Sequence, residues 1–267
     1  MKIYDCFIFF NENLLTEIRL NILNKYIDYF VICESYYDHR GNVKGYLFNL
    51  EKFKKFKEKI IYLFLDNQFP DISDPWKTQA YQREYILKNL DEANPDDYIF
   101  FSDPDEIPRP EKLINFDLKK KYGIFLQDFF NYKFNLFNPH ESPWEGTRVA
   151  KKKNLKSIDF MRQKVKVKNL NYSFFRFDKE KSVQIIKNAG WHFNNIMDPE
   201  EISKKLKTFA HTEFSKEEFS SPKIIESKIF KKIDLFNRGH QYKVVNLDNS
   251  FPDFLVNNYD KYKKFIL

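Results

Sequence analysis

The first hundred residues alternate short, continuously apolar runs with stretches whose apolar positions recur three or four apart. Ile3 to Phe10 ("IYDCFIFF") reads as a first strand, and "NLLTEIRLNILNKY" follows with Leu14, Leu15, Ile18, Ile22 and Leu23 at helical spacing. Asp28 to Ser35 ("DYFVICES") is a second strand. After the polar "YYDHRGNVKG" loop, "LEKFKKFKEK" reads as a short amphipathic helix and Ile60 to Leu65 ("IIYLFL") as a third strand. A loop with Pro70 and Pro75 leads to a helix from about Lys77 to Leu90, and "PDDYIFFSD" supplies a fourth strand. Apolar strands separated by helices predict a mostly parallel sheet covered on both faces. In such open sheets ligands bind at the carboxyl ends of the strands.

After Lys120 the pattern changes. "YGIFLQDFFNYKFNLFN" reads as antiparallel strands, "VQIIKNAGWHF" as another strand, and "PEEISKKLKTF" as a helix that Pro199 starts. Beyond Pro222 the signals shorten into brief helical and extended pieces. With no internal repeat or low-complexity linker, the expectation is one α/β domain. Residues 1–120 would form a nucleotide-binding half, continuous with a mixed α+β half over 121–267.

Composition adds constraints. At 42% hydrophobic and 31% charged residues the chain reads as globular, with a high aromatic share of 18%. Most of those aromatics sit in apolar runs such as "IFLQDFFNYKFNLF", which assigns them to a core. The net charge of +7 comes mainly from lysines spread along the chain, which read as a solvated surface and also suit a small anionic ligand such as a nucleotide diphosphate. A basic nucleic-acid-binding module is the competing class, and it requires Phe and Tyr exposed on a basic face. Cys6 and Cys33, both in strand-like runs, read as buried thiols, which fits a reducing compartment. No run approaches the roughly eighteen apolar residues of a membrane span. The expectation is a cytoplasmic protein at the membrane surface or free of it, with at most peripheral contact.

The candidate chemistry lies where the fourth strand runs out, in "IFFSDPDEIPRPEKL". Asp103 and Asp105 are two apart, so an extended segment points both the same way, and Pro104 biases Asp103 toward that geometry. Two oxygen donors at a strand end suit Mg²⁺ or Mn²⁺, which take one or two carboxylates plus phosphate oxygens. Asp-Pro sequences also serve as ordinary turn and cap chemistry.

The blocks "IYDCFIFFNENLLTEIRLNIL", "DPDEIPRP", "WEGTRV", "AGWHF" and "NNYDKYKKFI", in this order along nearly the whole chain, resemble glycosyltransferase family 17. That family contains the β-1,4-mannosyl-glycoprotein β-1,4-N-acetylglucosaminyltransferases, with many bacterial and viral relatives. The resemblance implies a GT-A-like (Rossmann-type) fold, a UDP-sugar donor (UDP-GlcNAc foremost, UDP-glucose or UDP-galactose otherwise), a divalent cation, and inversion at the anomeric carbon. No counterpart of the animal enzymes' N-terminal anchor and lumenal stem is expected here. The expected acceptor is therefore a lipid-linked glycan, surface polysaccharide or virus-specific glycan rather than a glycoprotein N-glycan. Asp103 and Asp105 match the family's Asp-x-Asp and are the expected metal residues, Asp103 also touching the donor.

Other roles follow from type and place. GT-A enzymes often take a third metal ligand from the C-terminal half; His192 in "GWHF" is the first candidate and His211 in "FAHTEF" the second, the alternative for each being a packed core histidine. Inversion needs a carboxylate to take the acceptor's proton, for which Glu106 and Glu145 are candidates. Trp144 and Trp191 would stack on acceptor sugar. Glu34, ending the second strand, is expected at the uracil or ribose, with Arg19 or Arg83 at phosphate; Glu17 and Arg19 could equally form a structural ion pair.

Overall fold

The computed structural model describes residues 1–208 and 215–267. In its first strand, β1 (Ile3–Phe9), alternate side chains feed two cores: Phe7 and Phe9 enter one, Tyr4, Cys6 and Ile8 the other. β1 lies parallel to β2 (Tyr29–Ser35), which pairs in parallel with β3 (Ile60–Leu65), and its other edge carries β4 (Tyr98–Ser102), also parallel. Cys6 thus stands between Val31 and Phe101. This is the covered parallel sheet that the apolar runs predict.

Beyond β4 the chain makes β5 (Glu106–Pro108), β6 (Tyr122–Asn131), β7 (Leu136–Phe137), β8 (Trp144–Lys151), β9 (Val183–Ile186), β10 (Gly190–Asn194) and β11 (Lys243–Val244). The order across the sheet is β11-β7-β6-β8-β4-β1-β2-β3. β8 pairs antiparallel with both β4 and β6, so one sheet runs through both halves of the sequence.

Helix α1 (Asn13–Leu23) covers one face through Leu15, Ile18 and Leu23. On the other face, α2 (Pro75–Lys88) and α3 (Ile158–Lys164) contribute Ile86, Ile158 and Met161. α4 (Pro199–Thr208), α5 (Glu217–Ser220) and α6 (Pro222–Lys231) follow, and Ile202, Leu206 and Ile225 join Leu235 and Tyr242 in a smaller core. Finally α7 (Asp253–Asn257) and α8 (Tyr259–Tyr262) bring Leu255 and Tyr262 back against α1's core. Cys6 and Cys33 are both buried, and burial pushes the Cys33 thiol up to about 12.

One local expectation is corrected and two are refined. "LEKFKKFKEK" is helical as expected, of the 3-10 type (Leu50–Lys59), with Phe53 at non-helical dihedrals as it and Phe56 turn inward. "VQIIKNAGWHF" makes two strands, because Asn188 takes positive φ between them and Gly190 takes positive φ where the second begins, and both run parallel to β6. α2 starts at Pro75, close to the expected start near Lys77: the Asp74 side chain accepts from Trp76 N at 2.9 Å, and proline suits the first helical position.

Candidate active site

β1 has β2 on one edge and β4 on the other, which makes the gap between the carboxyl ends of β1 and β4 the place where strand order reverses. A cleft of about 880 Å³ opens there. Phe10 and Glu12 after β1, Ser35 ending β2, and Asp103 and Asp105 after β4 all line it.

The acidic loop is held by a bonded frame. Glu106 N donates to Asp103 O (3.0 Å), and Asp103 N donates back to the Glu106 carboxylate (3.1 Å). Arg162 Nη2 donates to Asp103 Oδ2 and to Glu106 Oε1, each at 2.6 Å, while Arg83 Nη2 reaches Asp103 Oδ1 at 3.3 Å. Burial alone would raise the Asp103 pKa, but Arg162 and Arg83 outweigh it and hold the carboxyl far below its usual range. Pro104 and Asp105 form a turn, and Asp105 has its own partners. Phe193 N donates to Asp105 O at 2.8 Å, and His192 Nε2 stands 3.4 Å from Asp105 Oδ2. Burial again pushes up; His192 and Lys205 hold Asp105 below its ordinary value.

Whether this loop suits a divalent cation turns on those distances. Both Asp103 oxygens are engaged by guanidinium, and among the described residues no three His, Cys, Asp or Glu side chains form a group able to hold a metal. Asp105 and His192 fit better. Their 3.4 Å separation is close to the spacing of adjacent ligands around Mg²⁺, about 3 Å, and this ion often takes few protein ligands beside substrate phosphates. His192 Nδ1, buried, has no hydrogen-bond partner among the described residues. His192 stands opposite Glu106 because β10 pairs antiparallel with β5. Gly190 permits that approach: at φ 144°, a Cβ there would lie 2.1 Å from Ile107 O.

Around the acidic loop the walls are cationic and polar. α2 turns Thr78, Gln79, Gln82 and Arg83 inward, and the last three reach the cleft. α3 seats Ile158 and Met161 in the core and thereby carries Arg162 to the wall. Lys44, Lys166, Lys168 and Arg238 also line the cleft. Burial, then the Arg148 and Arg162 guanidiniums, bring the Lys166 amine down to about 8. Arg162 and Lys166 escape sequence reasoning; the only trace of Arg162 is a cation directly after a buried position of a short helix capped by Ser157.

Of the expected residues, Asp103, Asp105, His192, Arg83, Trp144 and Glu145 come together on the cleft. Trp144 is fixed by its indole N–H, which donates to Glu106 Oε1 at 2.6 Å, and its ring packs 5.0 Å from that of His192. Glu145 Oε2 accepts from Arg148 Nη2 (3.1 Å) and Val167 N (3.2 Å). Four others lie elsewhere. Glu106 is buried behind the wall, where Trp144, Arg162 and Asp103 N bond its carboxylate, an orienting place rather than that of a base meeting substrate. Arg19 is buried with Asp5, not Glu17, at 2.6 Å and donates to Glu106 O at 2.8 Å, so it faces protein and no phosphate. Glu34 is buried and accepts from Lys44 Nζ, Leu47 N, Phe48 N and Tyr62 OH, which closes it to a uracil. Trp191 is buried under Arg109 with its N–H on Ser250 O. His211 lies outside the described residues.

Comparison with known proteins bears on this arrangement. The family description "Glycosyltransferase family 17" matches residues 1–267. Over 109 residues the chain is 28% identical to the human and to the Rattus norvegicus β-1,4-mannosyl-glycoprotein 4-β-N-acetylglucosaminyltransferase. Each match covers 38% of this chain and 20% of the length of that relative. Among solved structures, S. aureus TarS 1–349 aligns at TM-score 0.42 and 12% identity, covering 86% of this chain and 71% of that one. A glycosyltransferase involved in glycosylation of the major capsid of PBCV-1 aligns at TM-score 0.34 and 10% identity, covering 70% and 82%. On the match across its full extent, the chain belongs to glycosyltransferase family 17.

Proposed function

We propose that this protein is an inverting glycosyltransferase that moves a sugar, GlcNAc from UDP-GlcNAc in the first instance, onto a glycan, glycolipid or polysaccharide acceptor. The observation that carries the reading is the Asp103–Pro104–Asp105 loop at the reversal of strand order, with Arg83, Arg162, Lys166 and Lys168 on the walls around it. A nucleotide diphosphate brings the negative charge such walls attract, and ligands of open α/β sheets sit at this edge.

Asp105 and His192 would hold Mn²⁺ or Mg²⁺, which when bound supplies positive charge against the leaving diphosphate. Asp103 takes a different part, keeping Arg83 and Arg162 in place. Lys166 and Lys168 bind donor phosphate, and Trp144, pinned by Glu106, offers its ring to the acceptor sugar. In transfer, an acceptor hydroxyl oxygen bonds to the anomeric carbon from the face opposite the diphosphate. The bond from that carbon to the phosphate oxygen breaks with its electron pair going to the diphosphate, and Glu145 accepts the hydroxyl proton. Attack from the opposite face inverts the configuration.

The test is a panel of UDP, GDP and CMP sugars with Mn²⁺ present or absent, read by thermal shift and by donor hydrolysis. UDP-GlcNAc is expected to stabilise the parent and to be hydrolysed only with cation, and Asp105→Asn to lose both responses. A panel in which no nucleotide sugar acts, or an Asp105→Asn protein that behaves like the parent, removes the reading.

A further inference from the structure

Among the described residues most aromatic side chains are buried or half-buried, as their apolar runs predict, but a cluster of three neighbouring phenylalanines is not. Phe174, Phe175 and Phe177 are 80%, 79% and 82% exposed, at the centre of nine consecutive exposed residues, 170–178. We propose that this loop is a membrane-docking element that inserts its phenylalanines into the interface of an anionic lipid bilayer.

The loop is built, not frayed. At its base the Asn169 side-chain amide donates both to Lys164 O (2.7 Å) and to Glu180 O (3.1 Å), which closes the ends together. Inside it Arg176 N donates to Ser173 O (3.0 Å) and Lys179 N to Arg176 O (3.2 Å), and the Lys181 amine also reaches Ser173 O. Arg176 pairs with Asp178 through both Nε and Nη2. A backbone so bonded could turn its aromatics down onto the protein; here they point away, and three large rings held in water are unfavourable unless another phase receives them.

Charge selects that phase. From Lys164 to Lys181 there are six basic and two acidic residues, and Asp178 is already paired with Arg176 and Lys179. Apolar rings at the tip with cations around them match the headgroup region of a bilayer that carries anionic lipid, where rings meet the acyl boundary and amines meet phosphate. The loop begins directly after Lys166 and Lys168, which line the cleft, so docking brings the cleft mouth to the bilayer. The inference goes beyond the proposed transfer reaction and does not depend on it.

The test is co-sedimentation of the full chain, without nucleotide or metal, with vesicles of phosphatidylcholine alone or with phosphatidylglycerol added. The parent is expected to bind the anionic vesicles and to leave the neutral ones largely in the supernatant. The triple variant Phe174→Ser, Phe175→Ser, Phe177→Ser, all exposed positions, is expected to keep the parent's Tm and lose vesicle affinity by roughly tenfold or more. In Phe175→Trp, Trp emission is expected to shift to the blue when the anionic vesicles are added. Equal binding by parent and triple variant overturns the proposal, as does absence of parent binding. A dimer, or single-stranded oligonucleotide binding, that the triple variant abolishes while vesicles bind neither protein assigns the surface to another partner and equally overturns it.

Discussion

At the scale of single residues, a carboxylate's role follows from what already occupies its oxygens. Glu106 and Glu145 are both acidic residues near the cleft, but Glu106 has its oxygens bonded by an indole, a guanidinium and a backbone N–H, whereas Glu145 stays on the wall. No one-dimensional pattern separates them, since Trp144 and Arg162 meet Glu106 across 38 and 56 residues. Glu34 is the same case: its position at a strand end is legible, its saturation by the 44–48 segment and Tyr62 is not. Lys166 provides a prediction at this scale. With its amine lowered to about 8, the folded protein carries this charge below that pH and loses it above. An anionic diphosphate favours the protonated form, so UDP affinity is expected to fall as pH rises through about 8, and the fall to be smaller in Lys166→Gln. Calorimetric titration with UDP at a series of pH values checks this, and a parent affinity flat across that range contradicts it.

At the scale of elements, the parallel series β1 to β4 was readable because each strand is a short apolar run and the helices between β1 and β2 and between β3 and β4 show their own period. Helix starts were partly readable: Pro199 opens α4 as its sequence predicts, but Asp74 and Pro75, which set the start of α2, lay in what read as a loop. What escaped was pairing. That β10 reaches across to β5, putting His192 opposite Glu106 and Phe193 N on Asp105 O, depends on a backbone approach that only Gly190 permits. Gly190→Ala meets both an unfavourable φ and a carbonyl at 2.1 Å, so β10 and β5 must separate. The expected cost is about 2 kcal/mol or more of stability, with loss of nucleotide-sugar response. Urea unfolding with the thermal-shift panel measures both, and a variant as stable and responsive as the parent would show that this strand contact does not position the site.

Across the whole molecule, β8 joins β4 to β6, so the sheet begun by residues 1–120 continues into 121–267, and α7 and α8 return the end of the chain to the core of α1. Buried Arg19 adds a tie between β1, α1 and β5. The two larger cores each draw residues from both halves, so calorimetry is expected to give a single unfolding transition whose van't Hoff and calorimetric enthalpies agree. Two resolved transitions would mean that the halves fold independently. The sequence by itself determined the α/β class, the order of the first elements, the strand end that carries Asp103 and Asp105, and the burial of the aromatics in the apolar strand runs, because these depend on local periodicity, turn chemistry and hydrophobic runs. Only the tertiary structure decided which charges neutralise one another. It placed Arg162 on Asp103 and Glu106, took Arg19 and Glu34 out of the site, set His192 beside Asp105, and left Phe174, Phe175 and Phe177 in solvent. Partners for a buried charge come from elements distant in sequence, and exposure depends on what packs above a residue; neither is written in a residue's neighbours along the chain.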